Sequence, residues 1–113
     1  MSKKYYLYVG HYIAETGEYI LKVGTTNDLK RRRIEHNYNY RRSSKYRMPR
    51  SEQFQYNWYL PLSKLNTLRY EEKTKAELDK AEIGARFSND RYCCAEKPNK
   101  IVVTIKKSYE INL

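Results

Sequence analysis

The sequence has little that would stabilise it covalently or anchor it in a lipid bilayer. Only two of its 113 residues are cysteines, and they are adjacent at Cys93 and Cys94, which is poor geometry for a mutual disulfide and too few ligands for a structural zinc site. No apolar run approaches the roughly 20 residues of a membrane span, and the first residues lack the apolar core of a signal peptide. We therefore expect reduced thiols, no membrane contact and a cytoplasmic location.

Acidic residues are also scarce. The chain has 13 Asp and Glu against 23 Lys and Arg, a formal net charge of +10. Such a charge attracts polyanions and carries no information about the fold. At this length we expect one domain, residues 1–113, with no internal linker. The expected partner is nucleic acid, with DNA favoured over RNA, and the oligomeric state is left open, a dimer included.

The positive charge is concentrated in one segment. Between Lys30 and Arg50 there are nine basic residues and a single acidic one, Glu35. Arginine predominates in this segment and alternates with tyrosine; arginine binds phosphates in a bidentate manner and tyrosine stacks on bases. The residues predicted to contact nucleic acid are Arg31, Arg33, Arg41, Arg42, Lys45, Arg47, Arg50, Tyr38, Tyr40 and Tyr46.

The first half of the chain reads as a hairpin followed by a basic helix. Residues 4–9 and 19–23 are rich in branched and aromatic side chains and predict two strands, joined by a loop with the turn signal Glu-Thr-Gly-Glu. A helix is predicted from about Asp28 to His36. The polar stretch Asn37 to Arg50 lacks apolar periodicity and is predicted to be mobile or irregular, ordering on nucleic acid.

The second half predicts one more strand, a long helix and a last strand. Residues 53–60 alternate in polarity, which places Phe54, Tyr56, Trp58 and Leu60 on one apolar face. A helix capped by Ser63 or Asn66 is predicted to run to about Phe87, with a break near Gly84. Residues 100–106, Lys-Ile-Val-Val-Thr-Ile-Lys, predict a final strand. The order of elements indicates an α/β (α+β) fold with a small mixed, largely antiparallel sheet flanked by helices.

The corner between the second strand and the basic helix has the outline of a phosphate site. Gly24 allows a tight turn or a close approach of the backbone, and the next four residues, Thr-Thr-Asn-Asp, offer oxygens to the free amides of the helix. Arg32 and His36 are four residues apart and therefore lie on one face of that helix. We expect both side chains to reach the same substrate.

These elements resemble the GIY-YIG nuclease superfamily. Tyr6-Leu7-Tyr8 stands where that family has Gly-Ile-Tyr, and Lys22-Val23-Gly24 stands where it has Tyr-Ile-Gly; a Lys-Ile-Gly form is associated with its phage-type branch. The resemblance covers residues 5–37 well and residues 54–78 more loosely. The positions that match the family in spacing are Gly24, Thr26, Leu29, Arg32 and His36.

The resemblance implies a GIY-YIG-like fold and an endonuclease that hydrolyses phosphodiester bonds. It implies that Tyr8 is the general base or orients the attacking water, and that Arg32 clamps the nonbridging phosphate oxygens. His36 would hydrogen-bond the tyrosine or a phosphate. Lys22 replaces the family's second tyrosine and would hold a phosphate or help to order water.

The resemblance also implies one divalent metal ion, Mg²⁺ or Mn²⁺, held by a glutamate on the helix after the third strand. Glu71 fits this position better, because an apolar residue precedes it by three and a basic residue follows it by four. Glu72 is the alternative, since its helical phase relative to Leu68 also fits.

Two other classes of function remain open at this stage. The first is a related module that binds nucleic acid without cutting it, which the lysine at position 22 favours. The second is a basic protein that docks on an acidic protein, which the segment rich in tyrosine and arginine argues against. The small size suits a protein encoded by a phage or mobile element. His11, in the predicted hairpin loop, is assigned no role.

Overall fold

The computed structural model describes residues 4–88, 90–98 and 100–111. None of the helices in these ranges is long and apolar enough to cross a membrane. The described residues form five strands and three helices: β1 (Tyr5–Ile13), β2 (Tyr19–Thr26), α1 (Leu29–Arg41), β3 (Gln55–Leu62), α2 (Lys64–Lys80), β4 (Ala85–Arg86), β5 (Arg91–Cys94) and α3 (Lys100–Ile111).

The strands form a single antiparallel sheet in the order β3-β1-β2-β5-β4. The expected fold class, a small α+β fold with a largely antiparallel sheet and flanking helices, is confirmed. The predicted hairpin is confirmed too, and both of its strands are longer than expected, because pairing runs from Tyr6 opposite Thr26 to Ile13 opposite Tyr19. β5 covers only the first half of β2, from Tyr19 to Lys22.

The third strand does not present one apolar face, contrary to the prediction. The register between β1 and β3 shifts between Val9 and Gly10, which leaves Asn57 as the extra residue of a bulge. A bulge reverses the side of the sheet to which the following residues point. Phe54 and Tyr56 consequently pack beneath α1, whereas Trp58 and Leu60 pack on the opposite face.

The sheet therefore separates two cores. The core on the side of α2 and α3 is largely aliphatic, and the core on the side of α1 is built mainly of aromatic rings. The first includes Leu7, Val9, Leu21, Val23, Trp58, Leu60, Leu78, Tyr92, Val102, Ile105 and Tyr109; the second includes Tyr8, Tyr12, Ile20, Tyr40, Met48 and Phe54.

The predicted long helix is wrong beyond Lys80, where α2 ends. Ser63 caps the start of α2 as expected, by accepting a hydrogen bond from the Asn66 amide at 3.3 Å. At the other end, Glu82 has a φ of 53°, a left-handed conformation that terminates helices. A side chain at Gly84 would lie 2.5 Å from the Cys93 carbonyl oxygen, so this glycine allows β4 to form beside β5.

The predicted last strand is also wrong, because residues 100–111 form helix α3. Val102, Ile105 and Tyr109 are buried at helical spacing, and Val103 is 42% exposed. Branched residues favour strands only weakly, so burial of one helical face against β3 and α2 overrides that preference. Trp58 fixes the helix further, since its indole N–H donates to the Val102 carbonyl at 2.8 Å.

The basic helix is longer than predicted and continues to Arg41. The next residues up to Arg50 are irregular, as expected, but they have defined contacts with the rest of the domain. The Met48 amide donates to the Tyr40 carbonyl at 3.0 Å, and the Glu15 amide donates to the Arg47 carbonyl at 2.8 Å. The segment therefore forms a wall beside α1.

The assignment of α3 can be tested with two matched truncations. Val102→Ala removes two buried methyl groups and should lower the free energy of unfolding by about 2 kcal/mol. Val103→Ala, one residue further on, should change it by less than about 0.5 kcal/mol because that side chain is exposed. A third variant, Ile105→Ala, should also be costly, because Ile105 lies on the same buried helical face as Val102, whereas in a strand positions 102 and 105 would face opposite sides. Urea unfolding measures all three values, and a loss confined to one of Val102→Ala and Ile105→Ala would contradict the helical assignment.

Candidate functional site

The site begins with a close contact between the two strands of the hairpin. Gly24 lies opposite Tyr8 in the β1–β2 pair, and a Cβ atom on Gly24 would be 2.5 Å from the Tyr8 hydroxyl oxygen and 2.7 Å from its ring. Real Cβ atoms do not approach other atoms so closely. Only glycine at this position lets the Tyr8 ring lie flat across β2 and reach the inner face of α1.

On that face Tyr8 meets His36. The Tyr8 hydroxyl and His36 Nε2 share a hydrogen bond of 2.7 Å, and both residues are almost completely buried. The His36 ring stacks on Tyr40 with centroids 5.0 Å apart, and Tyr40 stacks in turn on Tyr12 at 4.8 Å. The row of rings holds the imidazole in one orientation.

Burial and nearby cations keep the imidazole neutral. Burial, followed by the charges of Arg32 and Lys22, lowers the pKa of His36 to about 3. Burial raises the pKa of the Tyr8 phenol, and the guanidinium of Arg32 is the largest influence opposing that rise. At neutral pH the pair is thus an uncharged phenol bonded to an uncharged imidazole.

Lys22 lies on the same face of the sheet and is also buried. Its ammonium group forms an ion pair with Asp90, immediately before β5. Burial lowers the pKa of Lys22, an effect that Asp90 opposes. Burial alone would raise the pKa of Asp90, but the hydrogen bond and charge of Lys22 outweigh it and lower that pKa. The carboxylate therefore keeps a cation inside the site.

Arg32 is the more accessible cation of the site. Its side chain is 35% exposed and lies 3.6 Å from a carboxylate oxygen of Glu35. Its buried Nε has no hydrogen-bond partner among the described residues. A buried donor without an acceptor is costly, so this nitrogen suits an acceptor that arrives with a ligand. Arg32 lies close enough to Tyr8 and His36 for its charge to act on both side chains; that the three act on one substrate stays a prediction.

The structure separates the two candidate metal ligands. The side chain of Glu71 is 19% exposed, and that of Glu72 is 74% exposed. Burial raises the pKa of Glu71, whereas the charges of Lys75 and Lys22 oppose the rise. The charge of Lys22 acts on Glu71 although α2 packs on the side of the sheet opposite α1. The Glu72 side chain projects into solvent.

The residues predicted to contact nucleic acid divide into four groups. Tyr40 is only 8% exposed and stacks inside the core, so its ring has no free face for a base and the expectation disagrees with the structure. Some cations brace the fold: Arg33 donates to the Phe54 carbonyl at 2.9 Å and Arg41 to the Glu52 carbonyl at 2.8 Å. Tyr46 is half-buried against Phe87. The members with free exposed surface are Arg31, Tyr38, Arg42, Lys45, Arg47 and Arg50.

Sequence reasoning missed Asp90 and Tyr56. Asp90 follows the region that the sequence predicts as a continuation of α2, although the polar run Ser-Asn-Asp before Arg-Tyr-Cys-Cys is a turn signal. Tyr56 packs edge-on against Tyr8 and donates from its hydroxyl to the Leu29 carbonyl at 2.6 Å. Its position on this face depends on the bulge, which no local pattern indicated. His11, given no role, is hydrogen-bonded to Asn57 at 2.9 Å.

The fold and site together define a small α+β domain in which two cations, Arg32 and Lys22, lie beside a buried tyrosine–histidine pair. A family model, that of the T5orf172 domain, matches residues 5–97. The protein therefore belongs to the T5orf172 domain family. This is a nuclease-associated, DNA-binding-like domain, which is consistent with interaction with nucleic acid and gives no specific function. No curated protein and no solved structure gives a significant match.

The family assignment corrects the sequence interpretation. The resemblance to the GIY-YIG superfamily is wrong as an assignment, because the matching family is that of the T5orf172 domain over most of the chain. The motif comparison depended on a few positions between Tyr5 and Asn37, and the residues at two key positions, Tyr6 and Lys22, departed from it. The roles proposed for the site residues consequently rest on their geometry.

The neutral state of His36 predicts a pH dependence of stability. Its pKa is about 3 in the folded protein and about 6.5 in the unfolded chain, so the unfolded chain binds the proton more readily. This contribution to stability is complete above pH 6.5 and is lost as the pH falls towards 3. Between these limits the wild-type protein should lose up to about 1.4 kcal/mol per pH unit more than His36→Gln. Urea unfolding at several pH values measures the difference, and parallel curves would contradict the buried neutral imidazole.

Proposed function

We propose that the protein is a metal-dependent endonuclease that hydrolyses phosphodiester bonds in nucleic acid, with DNA favoured over RNA. One observation carries the proposal: a neutral, hydrogen-bonded Tyr8–His36 pair lies beside two cations, Arg32 and Lys22, and the charge of Lys22 also acts on the carboxylate of Glu71. Phosphodiester hydrolysis needs a proton acceptor, positive charge at the phosphoryl oxygens and support for the leaving oxygen. Tyr8 and His36 would supply the first, Arg32 and Lys22 the second, and a divalent cation held by Glu71 the third, by stabilising the charge on the leaving oxygen.

The proton acceptor in this proposal is His36 acting through Tyr8. A phenol whose pKa is raised is a poor base by itself, but its hydroxyl oxygen can accept a hydrogen bond from water while its own proton moves to His36 Nε2. Binding of a phosphate beside Arg32 and Lys22 would offset the charges that lower the pKa of His36. The substrate would thereby make the imidazole a better base.

Arg32 would hold the phosphate. Its unpartnered Nε and its forked guanidinium suit two phosphate oxygens at once. Lys22 is fixed by Asp90 and would add positive charge from beneath without needing to move. Arg31 is 58% exposed and bonds Asn27 at 2.9 Å, so its contribution would be general attraction of the polyanion.

A divalent cation, Mg²⁺ or Mn²⁺, would be held by Glu71. Among the described residues no group of three or more His, Cys, Asp or Glu side chains could bind a metal ion. The donor set nevertheless fits hard, hydrated Mg²⁺, which accepts one protein carboxylate when phosphate and water supply its other ligands. The bound ion would act as a Lewis acid and lower the pKa of its water.

The exposed basic residues on and after α1 would bind the nucleic-acid backbone outside the reacting phosphate. A protein that neutralises several phosphates attracts its substrate strongly and loses affinity as salt rises. We also propose that the activity is cytoplasmic. A single such site cuts one strand, so cutting both strands would require a dimer or two successive events.

A binding module without catalysis is the second candidate. The observation that favours it is the burial of the pair itself, because Tyr8 is 0% and His36 2% exposed. Water would have to reach the Tyr8 hydroxyl past the partly exposed side chain of Arg32. If it cannot, the same cations would still bind a phosphate.

The matched glutamates of α2 test the proposal. Glu71→Gln keeps the size and helix propensity of the side chain but removes its charge, so metal-dependent cleavage should fall by a hundredfold or more, while folding and nucleic-acid binding persist. Glu72→Gln is the control and should retain activity, because that side chain projects into solvent. The measurement is the rate of plasmid nicking under saturating protein. Equal rates for Glu71→Gln and the wild-type protein would rule out the metal-site assignment.

A further inference from the structure

A cleft of about 610 Å³ lies between the outward face of α1 and the irregular segment that follows it. It is separate from the candidate active site, because His36 and Tyr40 occupy the inward face of the same helix. Four of its lining residues are arginines, Arg41, Arg42, Arg47 and Arg50, and its apolar lining includes Ile34 and Tyr38. The volume is in the range of pockets that hold small organic molecules.

The cleft has an aromatic surface that is open to solvent. Tyr38 is 63% exposed and Ile34, one turn earlier, is 62% exposed. The guanidinium carbon of Arg42 lies 5.2 Å from the centroid of the Tyr38 ring. An exposed tyrosine next to arginine is the combination on which unpaired bases stack in single-strand-binding proteins.

The arginines of the cleft also have donor groups that are weakly bonded or unbonded within the described part of the fold. Arg41 donates one bond to the Glu52 carbonyl, but its buried Nε has no acceptor among the described residues. Arg47 makes a long contact of 3.4 Å to the Ser43 carbonyl. Glu15 is the carboxylate in the lining, and it can accept hydrogen bonds from the amino groups of a base.

The walls of the cleft are held in place by the core. Met48 is buried and its amide bonds the end of α1, while Tyr12 donates from its hydroxyl to the Tyr46 carbonyl at 2.7 Å. A cleft formed in advance costs less to occupy than one that must be ordered by its ligand.

We propose that this cleft binds one unpaired nucleotide, with its base stacked on Tyr38 and its phosphates on the surrounding arginines. In a continuous duplex both faces of every base are already stacked, so a base must leave the helix to use an aromatic surface. The inference rests on the proposed binding of nucleic acid and deepens it: the substrate class is nucleic acid that carries an unpaired or single-stranded nucleotide. Tyr38 lies six residues after Arg32, about 9 Å along the helix axis and roughly a third of a turn around it, so a strand bound at both would have to curve around α1.

The test measures binding in EDTA, where no cleavage can occur. Three fluorescent hairpins of equal length are compared: a continuous duplex, a duplex with one unpaired nucleotide, and the same bulge with an abasic residue. The bulged hairpin should bind at least about fivefold more tightly than the other two, the lower end expected for one base stacked on an aromatic ring. Equal affinity for all three would overturn the proposal and leave the proposed endonuclease untouched.

Two single-residue variants test whether the cleft is the surface that binds the unpaired nucleotide. Tyr38→Leu keeps an apolar side chain but removes the ring, and should abolish the preference for the bulged hairpin. Tyr59→Leu is the matched control, since Tyr59 is also exposed, at 49%, but lies on β3 outside the cleft; it should keep the preference. Loss of the preference in Tyr59→Leu alone would overturn the assignment to the cleft. Binding of an acidic peptide in place of every hairpin would overturn both this proposal and the proposed function.

Discussion

The contact between Tyr8 and Gly24 is the constraint on which the rest of the site depends. Because residue 24 has no side chain, the Tyr8 ring can cross β2 and place its hydroxyl 2.7 Å from His36 Nε2. That hydrogen bond ties the first strand to the middle of α1 and fixes the helix against the sheet. The cations, Arg32 one turn earlier and Lys22 two residues before the glycine, then face the same small volume.

The parts of this arrangement that follow from local sequence could be predicted. The hairpin, the start of the basic helix and the placement of Arg32 one turn before His36 depend on residues close together in the chain, where spacing decides geometry. The Asp28 side chain caps the helix by accepting from the Arg31 amide at 3.0 Å, within the predicted capping cluster. The sequence left Glu71 and Glu72 as alternative metal ligands. In the structure Glu71 is the more buried of the two and Glu72 projects into solvent.

The parts that failed depend on distant contacts. The bulge opposite Val9 changes the side of the sheet to which the β3 side chains point, and no pattern within that strand predicts a bulge. The branched run in α3 was misread because packing of Val102 and its helical neighbours against Trp58 outweighs a weak intrinsic preference. Asp90 was missed for the same reason: its partnership with Lys22 spans 68 residues. The family was misassigned because the motif covers only a few positions, whereas the T5orf172 family model matches residues 5–97.

We propose that the buried, uncharged tyrosine–histidine pair beside two cations serves hydrolysis and not binding alone. The most direct measurement incubates supercoiled plasmid with the unmodified protein in Mg²⁺, Mn²⁺ or EDTA. We predict that either metal ion converts the plasmid to open circles, because one site cuts one strand. In EDTA the plasmid should stay supercoiled, because the metal ion is removed. Plasmid that stays supercoiled with both metal ions, at protein concentrations that retard all of it in a gel, would contradict the claim.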